Sequence, residues 1–293
     1  LCPLIKSTYG YHVTGSNPFL EMADLIVAEN TCDGKKKMYE LMAARRAMHV
    51  LDLPQRQQGG AALAYWEGEL HGLKAALEER FDVVITDDGL RESIAAMNRE
   101  RDLRRRLAEL MQQDPPPMTG RQLLDFKSSI SAIPCDLKQY EAALARFADR
   151  APGSKNGEVR VLLTGVPLPH GAERVLDIIE SHGGTVVCLE NCTGIKPIIE
   201  DVDADAADPM RALAEKYFHL PCSVMTPNQD RLDTLRDLAQ AYRAECVIDL
   251  VWQACLTYDV EAHRVKELAE RTLGLPYLRI ETDYSPSDSE RIA

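Results

Sequence analysis

Eight cysteines dominate the reactive side chains of this 293-residue chain: Cys2, Cys32, Cys135, Cys188, Cys192, Cys222, Cys246 and Cys255. As thiolates they serve as nucleophiles, redox centres or soft-metal ligands. Two of them occur in nearly the same words. "LIVAENTCDGKK" (Leu25–Lys36) and "TVVCLENCTGIK" (Thr185–Lys196) each pass from an apolar, β-branched stretch through Glu-Asn to a Cys, a Gly and a Lys. The matching carboxylates, Glu29 and Glu190, are candidates for moving protons near a redox centre, or else for bonding backbone N–H groups of the loops. "TGVPLPHG" (Thr164–Gly171) adds His170 as a candidate proton donor. That segment could offer N–H groups to an anion, but it lacks the GxGxxG pattern and reads first as a sharp structural turn.

The elements that must position these groups follow from hydrophobic periodicity. Asp24–Glu29 and His49–Leu53 read as buried strands, with a helix over Lys35–Ala47 between them. Long amphipathic helices follow at Ala61–Arg80 and Leu90–Leu110, ended by "DPPP" at Asp114–Pro117. Thr119 and Gln122 form a capping-box pattern that starts another helix, and Leu137–Ala148 is one more. "APGSKNGE" (Ala151–Glu158) reads as a linker. Beyond it, strands at Val159–Leu163, Thr185–Glu190, Cys246–Gln253 and Tyr277–Glu281 alternate with helices at Ala172–Glu180, Pro209–Lys216, Arg231–Arg243 and Val260–Thr272. This alternation implies parallel sheets covered on both faces. The expected architecture is α/β, with two Rossmann-like lobes facing a central cleft and a helical segment between them. The expected division is 1–155 and 156–293.

Ligands of such sheets bind at the carboxyl ends of the strands. Cys32, Cys192 and Cys255 each fall just past a strand, and Cys32 also opens a helix, where the dipole favours a thiolate. Cys222, in "HLPCSVMTP", lies in a loop or short strand between two helices. Cys2 is not placed by pattern. Cys188 is inside a strand and reads as a small core residue. Cys246 opens the strand that Cys255 follows, roughly 30 Å away on the wrong edge of the sheet. Cys135 is remote from any strand end. Burial alone accounts for any single cysteine; three at the functional edge point to a shared role. There is no CxxC or HExxH, whereas a structural zinc site is normally compact in sequence. Thiolates gathered from distant loops suit an iron–sulfur cluster. Tyr258 and Asp259 read as caps of the helix after Cys255, and Lys35–Lys37 as a solvated first turn.

The bulk numbers narrow the classes. Apolar residues make up 45% of the chain, enough for large cores. The net charge of −12 argues against a nucleic-acid or anionic-membrane surface. No apolar run is long enough to span a bilayer, and no signal peptide is visible. No small disulfide framework is visible either, so a reducing cytoplasm is expected. The start at Leu1 and the ending "DSERIA" read as those of a piece of a longer protein, lacking residues at both ends.

"LCPLIKS", "TCDGKKKMYE", "LTGVPLPHGAERVL", "ENCTGIKP", "WQACLTYDVE" and "IETDYS" together resemble the 2-hydroxyacyl-CoA dehydratase D-component family, which includes benzoyl-CoA reductase subunits. The resemblance runs through the whole chain with the motifs in family order. "CSVMTPNQDRL" and "WQACLTYDVE" look most like the double-cubane cluster branch. The resemblance implies a 4Fe–4S cubane held by Cys2, Cys32 and Cys255, with one iron open to a substrate oxygen or small ligand. In the double-cubane branch a second, sulfide-bridged cubane needs more thiolates, and Cys192 and Cys222 are the natural ones, with a sixth expected upstream of Leu1. It also implies an ATP-hydrolysing iron–sulfur activator as electron donor, a homodimer and oxygen sensitivity. The implied activity is reduction of a small molecule. Alternatives are single-cluster dehydration of a 2-hydroxyacyl-CoA through a ketyl radical, and a non-enzymatic cluster-bearing electron carrier or two-lobe binding protein. The chain carries no GxxxxGK[ST] phosphate loop of its own.

Overall fold

A computed structural model describes residues 1–126, 132–148 and 158–293. In chain order the elements are α1 (Pro3–Thr14), α2 (Pro18–Met22), β1 (Ile26–Glu29), α3 (Asp33–Ala43), β2 (Met48–Leu51), α4 (Gly60–Phe81), α5 (Asp87–Glu109), α6 (Gly120–Asp125), α7 (Pro134–Ala148), β3 (Val159–Gly165), α8 (Arg174–Ser181), β4 (Gly184–Glu190), α9 (Pro209–Phe218), α10 (Gln229–Ala241), β5 (Cys246–Trp252), α11 (Leu256–Glu267) and β6 (Tyr277–Thr282). The fold is α/β with two parallel sheets. The linker expected at 151–158 lies, but for Glu158, outside the described residues.

The chain packs as two compact units. One comprises residues 1–94 with 202–228, the other 95–201 with 229–293. In the first, β1 and β2 pair in parallel with Ile26 beside Met48 and Glu29 beside Leu51. Helix α1, which sequence periodicity did not announce, packs on α3 through Ile5, Met38 and Met42. A second small core joins Leu51 of β2 and Trp66 of α4 to Ala214 and Phe218 of α9.

The second unit is built on a four-stranded parallel sheet in the order β4-β3-β5-β6. Val161–Val166 are all buried, as Thr185–Asn191 are, which is the near-continuous apolar strand that a sheet covered on both faces requires. Its main core joins Leu162, Val187 and Val247 of the sheet to Leu103 and Leu107 of α5 and Leu235 of α10. The Thr119 capping box forms as expected: Gln122 N–H donates to Thr119 Oγ1 at 3.1 Å, and Thr119 N–H donates to Gln122 Oε1 at 3.1 Å. Register is what matters for function. Thr164 lies beside Glu190 on one side and Asp249 on the other, so three polar side chains line up across β4, β3 and β5. Among the described residues no helix is long and apolar enough to cross a membrane.

Candidate functional site

Cys2, Cys32 and Cys255 share one local geometry. Each is the N-cap of a helix: Cys2 of α1, Cys32 of α3 and Cys255 of α11. None uses its sulfur to bond the first-turn N–H groups. A helix start concentrates unpaired N–H groups and the positive end of the backbone dipole, which stabilises negative sulfur. All three thiols are partly exposed, and none of the eight cysteines is in a disulfide. Helix α11 begins at Leu256, four residues before the expected start, so Cys255 itself is the cap. The expectation that Tyr258 and Asp259 cap this helix is therefore corrected. Tyr258 lies buried inside the helix, and Asp259 pairs with Arg279.

In the first unit, α1 and α3 start side by side. A Cβ placed on Gly34 would come within 3.3 Å of Ile5 Cγ1, so the second residue of α3 and the third of α1 nearly touch. Gly34 permits that approach, and it brings the two capping cysteines, Cys2 and Cys32, to one end of the helix pair. The loop after β1 is tied to its neighbours. Leu53 N–H donates to Asn30 Oδ1 at 2.8 Å. Gln55 Nε2 donates to the carbonyl of Thr31 at 3.1 Å, while its own carbonyl accepts from Thr226 N–H at 2.8 Å. Gln55 thus joins the turn that bears Cys32 to the loop that bears Cys222. Asn228 Nδ2 donates to the Cys222 carbonyl at 2.9 Å and braces that loop. Glu29, at 45% side-chain exposure, accepts from Lys35 Nζ at 3.0 Å.

In the second unit, Cys192 is exposed at the tip of a tight turn after β4. Asn191 Oδ1 accepts from the N–H groups of Thr193 at 3.0 Å and Gly194 at 2.8 Å. Thr193 Oγ1 in turn accepts from Leu168 N–H at 3.0 Å. Gly194 leaves no space for a side chain, since its Cβ would stand 2.1 Å from the Leu189 carbonyl oxygen. Both ends of the turn meet in a buried ionic network. Glu190 Oε1 is 3.0 Å from Lys196 Nζ, and Glu190 Oε2 is 3.2 Å from Arg231 Nη2. Arg231 Nη2 also donates to Thr164 Oγ1 at 2.8 Å, and that hydroxyl donates to Glu190. The second arm of Arg231 pairs with Glu261.

Burial opposes the ionised form of Glu190, but Arg231 and Lys196 outweigh it and hold its carboxyl below the ordinary carboxylate range. The same pairing raises Lys196 and Arg231 against the pull of burial. Asp249 differs. Burial pushes it up to about 6, with Arg231 pulling the other way. Its Oδ2 accepts from Tyr277 Oη at 3.1 Å, and its Oδ1 has no hydrogen-bond partner among the described residues.

The other expected positions sort by surroundings. Cys188 is buried in β4, and burial drives its thiol well above the ordinary range. Burial also raises Cys246, at the start of β5. Cys135 is exposed on α7. His170 is 62% exposed and 3.5 Å from Glu173. The turn that carries His170 has most of its N–H groups already engaged. Val166 N–H donates to Leu250, Leu168 N–H to Thr193 and Gly171 N–H to Glu173, so an anion cradle there is set aside. Glu190 is read in sequence as a proton carrier, yet it is fully buried between two cations. Its partners Lys196 and Arg231, and the neighbouring buried carboxyl of Asp249, were missed. The only sequence signal was a charged residue in an apolar context: Lys196 in "GIKPII" and Asp249 in "VIDLVW". Arg231 is indistinguishable from a surface charge of an amphipathic helix.

The donor set suits an iron–sulfur cluster. Partly exposed thiols at helix N-termini are those most readily present as thiolates, and thiolates are the ligands such clusters require. Within neither unit do three Cys, His, Asp or Glu side chains converge as a closed metal-binding group among the described residues. Cys2, Cys32 and Cys222 belong to the first unit, Cys192 and Cys255 to the second.

Comparison with known proteins identifies the family. The family model described as 2-hydroxyglutaryl-CoA dehydratase, D-component, matches residues 1–293. YjiM of Escherichia coli (strain K12), whose name calls it a dehydratase subunit, is 40% identical over 296 residues, covering 98% of this chain and 76% of YjiM. One of the benzoyl-CoA reductase subunits of Thauera aromatica is 23% identical over 239 residues, covering 79% of this chain and 60% of that relative. With the match running from the first residue to the last, the chain belongs to the 2-hydroxyglutaryl-CoA dehydratase D-component family.

Proposed function

We propose that this chain is the cluster-bearing part of an iron–sulfur reductase of the double-cubane type. In this reading it reduces a small molecule with low-potential electrons delivered by an ATP-hydrolysing activator. The observation that carries it is the set of thiols. Three cysteines cap helices, and two more, Cys192 and Cys222, stand on braced loops. One cubane with an open iron uses three thiolates, so five suitably placed thiols exceed what a single cluster needs.

When bound, such a cluster supplies one-electron transfer and a Lewis-acidic iron. The residues of the chain do the rest. The helix starts behind Cys2, Cys32 and Cys255 stabilise negative charge on sulfur. The Asn191 turn and Gly194 fix where Cys192 stands. Glu29 and His170 are the exposed members of the expected proton-handling set, and Glu29 is held by Lys35. Glu190 holds Lys196 and Arg231 in place rather than carrying protons.

Dehydration of a 2-hydroxyacyl-CoA on a single cluster is the second reading, favoured by the family description and by the name of YjiM. Iron and sulfide per subunit of protein purified without oxygen distinguish the two, together with Cys222→Ser. Under the first reading Cys222→Ser loses roughly half the iron, the share of one cubane in two. Full iron with an unchanged electron paramagnetic resonance spectrum supports the dehydratase.

A further inference from the structure

Glu190 and Lys196 stand at the two ends of the turn that presents Cys192, and their side chains pair beneath it at 3.0 Å. The same ammonium donates to Tyr258 Oη at 3.4 Å and lies 5.7 Å from the centre of the Tyr258 ring. The guanidinium of Arg231 lies 5.0 Å from that ring centre. Tyr258 belongs to the first turn of α11, the helix that Cys255 caps. One buried cation therefore touches the turn carrying one candidate thiol and the helix carrying another, although the two are some sixty residues apart in sequence. A lysine with no exposed side-chain surface is costly to bury and is kept only where its charge is matched. Here the match is made by Glu190, which Arg231 shares.

We propose that Lys196 is a positioning residue: its ammonium locks the Cys192 turn, through Glu190, to the start of helix α11, through Tyr258, and so fixes Cys192 and Cys255 relative to each other within the second unit. The lock belongs to the polypeptide and exists before any cluster is bound. It makes the second unit a preformed two-thiol platform, so that the ordering cost of bringing these ligands together is met by folding rather than by cluster binding.

Amide hydrogen exchange on the metal-free, full chain tests the lock. Asp259 N–H bonds the Cys255 carbonyl and Ile195 N–H bonds the Leu189 carbonyl, so both segments carry amides that report opening. Lys196→Met is expected to speed exchange at Asp259–Ala262 about tenfold, with β3 amides at Val161–Leu163 unchanged. Tyr258→Phe removes only a hydroxyl and keeps the ring. It is expected to speed exchange at Thr193–Ile195, the reverse direction across the same contact, with Lys196→Arg restoring protection in part. The proposal is overturned if Tyr258→Phe leaves Thr193–Ile195 at the wild-type rate, or if Lys196→Met raises exchange evenly over the whole unit. Iron bound after reconstitution is measured in the same variants, with a fall of about twofold expected for Lys196→Met. This iron arm rests on the cluster reading, whereas the exchange arm does not. Loss of reciprocity with normal iron rejects the lock alone. Intact reciprocity in a protein that takes up no iron rejects the cluster reading alone.

Discussion

Lys196 Nζ stands 3.0 Å from Glu190 Oε1 with both side chains fully shielded from solvent. Arg231 closes the other oxygen of the same carboxylate at 3.2 Å. Two cations on one carboxylate make Glu190 the member whose loss does most harm. Glu190→Gln leaves both cations buried without the carboxylate that bridges them, Arg231 keeping Glu261 and the nearby Asp249, and breaking such a buried pair costs about 3–5 kcal/mol. We expect the unfolding free energy obtained from denaturant titration to fall by that amount at neutral pH. Since Glu190 has its folded-state pKa depressed, its stabilising effect is present above the unfolded carboxylate pKa. The effect fades as pH falls through the folded value. The gap between wild type and Glu190→Gln should therefore narrow in acid. A gap that widens on acidification contradicts the assignment of Glu190 as an ionised anchor.

Asp249 titrates in the opposite sense. Burial holds its folded-state pKa at about 6, against roughly 3.9 in an unfolded chain. A carboxyl raised in the fold costs nothing below the unfolded value. The cost develops between about pH 4 and 6 and amounts to about 3 kcal/mol above that window. Asp249→Asn keeps an acceptor for the Tyr277 hydroxyl and removes the charge. Its stability relative to wild type should rise across that window and level off above it. Unfolding free energies of the two proteins at pH 4, 5, 6 and 8 measure the difference, and a flat difference means that Asp249 does not titrate there.

Much of this fold was legible because parallel strands buried on both faces leave nearly continuous apolar runs, and β3, β4 and β5 of the second unit each coincide with one, whereas β6 at the sheet edge alternates with charged residues. The cysteines at strand ends were legible for the same reason, since a strand end fixes where the functional edge lies. Helix α1 was not, because its apolar residues make no clear stripe, and so Cys2 could not be placed. Return of residues 202–228 to the first unit leaves no local mark at all, because it depends on which surfaces of α9 and α4 fit each other. The partners of Glu190 were hidden for a related reason: a lysine and an arginine become core residues only when three separate elements bring a carboxylate to them.

Gly194 gives a direct handle on the Cys192 turn. A methyl group there would lie 2.1 Å from the Leu189 carbonyl oxygen and 2.5 Å from Leu189 Cβ. Both are fixed within β4, so the turn must move instead. Gly194→Ala should destabilise the protein by about 1–3 kcal/mol and reduce bound iron as Cys192→Ser does. Gly171, whose Cβ would meet nothing within 4 Å, serves as the control; its positive φ of 89° strains an alanine there without pushing on any neighbour. Normal iron in Gly194→Ala would show that the position of Cys192 does not matter to the metal.

The cysteines divide by whether a helix start lies behind the sulfur. Cys32 caps α3 and Cys255 caps α11. Each sulfur sits at the start of a helix, and each is partly exposed. Cys246 begins β5 at the opposite end of that strand from Cys255, with its thiol raised by burial, and Cys135 lies exposed on α7. Thiolate character and access decide metal ligation, so the four should separate cleanly on substitution by Ala. Cys32→Ala and Cys255→Ala are expected to lose at least the iron of the cubane they hold, roughly half of the total in a double cubane and nearly all of it in a single one, because a cubane deprived of one of three thiolates opens to water. Cys246→Ala and Cys135→Ala are expected to hold wild-type iron, with Cys246→Ala losing at most about 1 kcal/mol of stability from a small change in packing. Iron and acid-labile sulfide, assayed side by side on the four proteins purified without oxygen, give the answer. Wild-type iron in Cys255→Ala would remove the capping cysteine of α11 from the ligand set and leave the second unit with Cys192 as its remaining candidate thiolate.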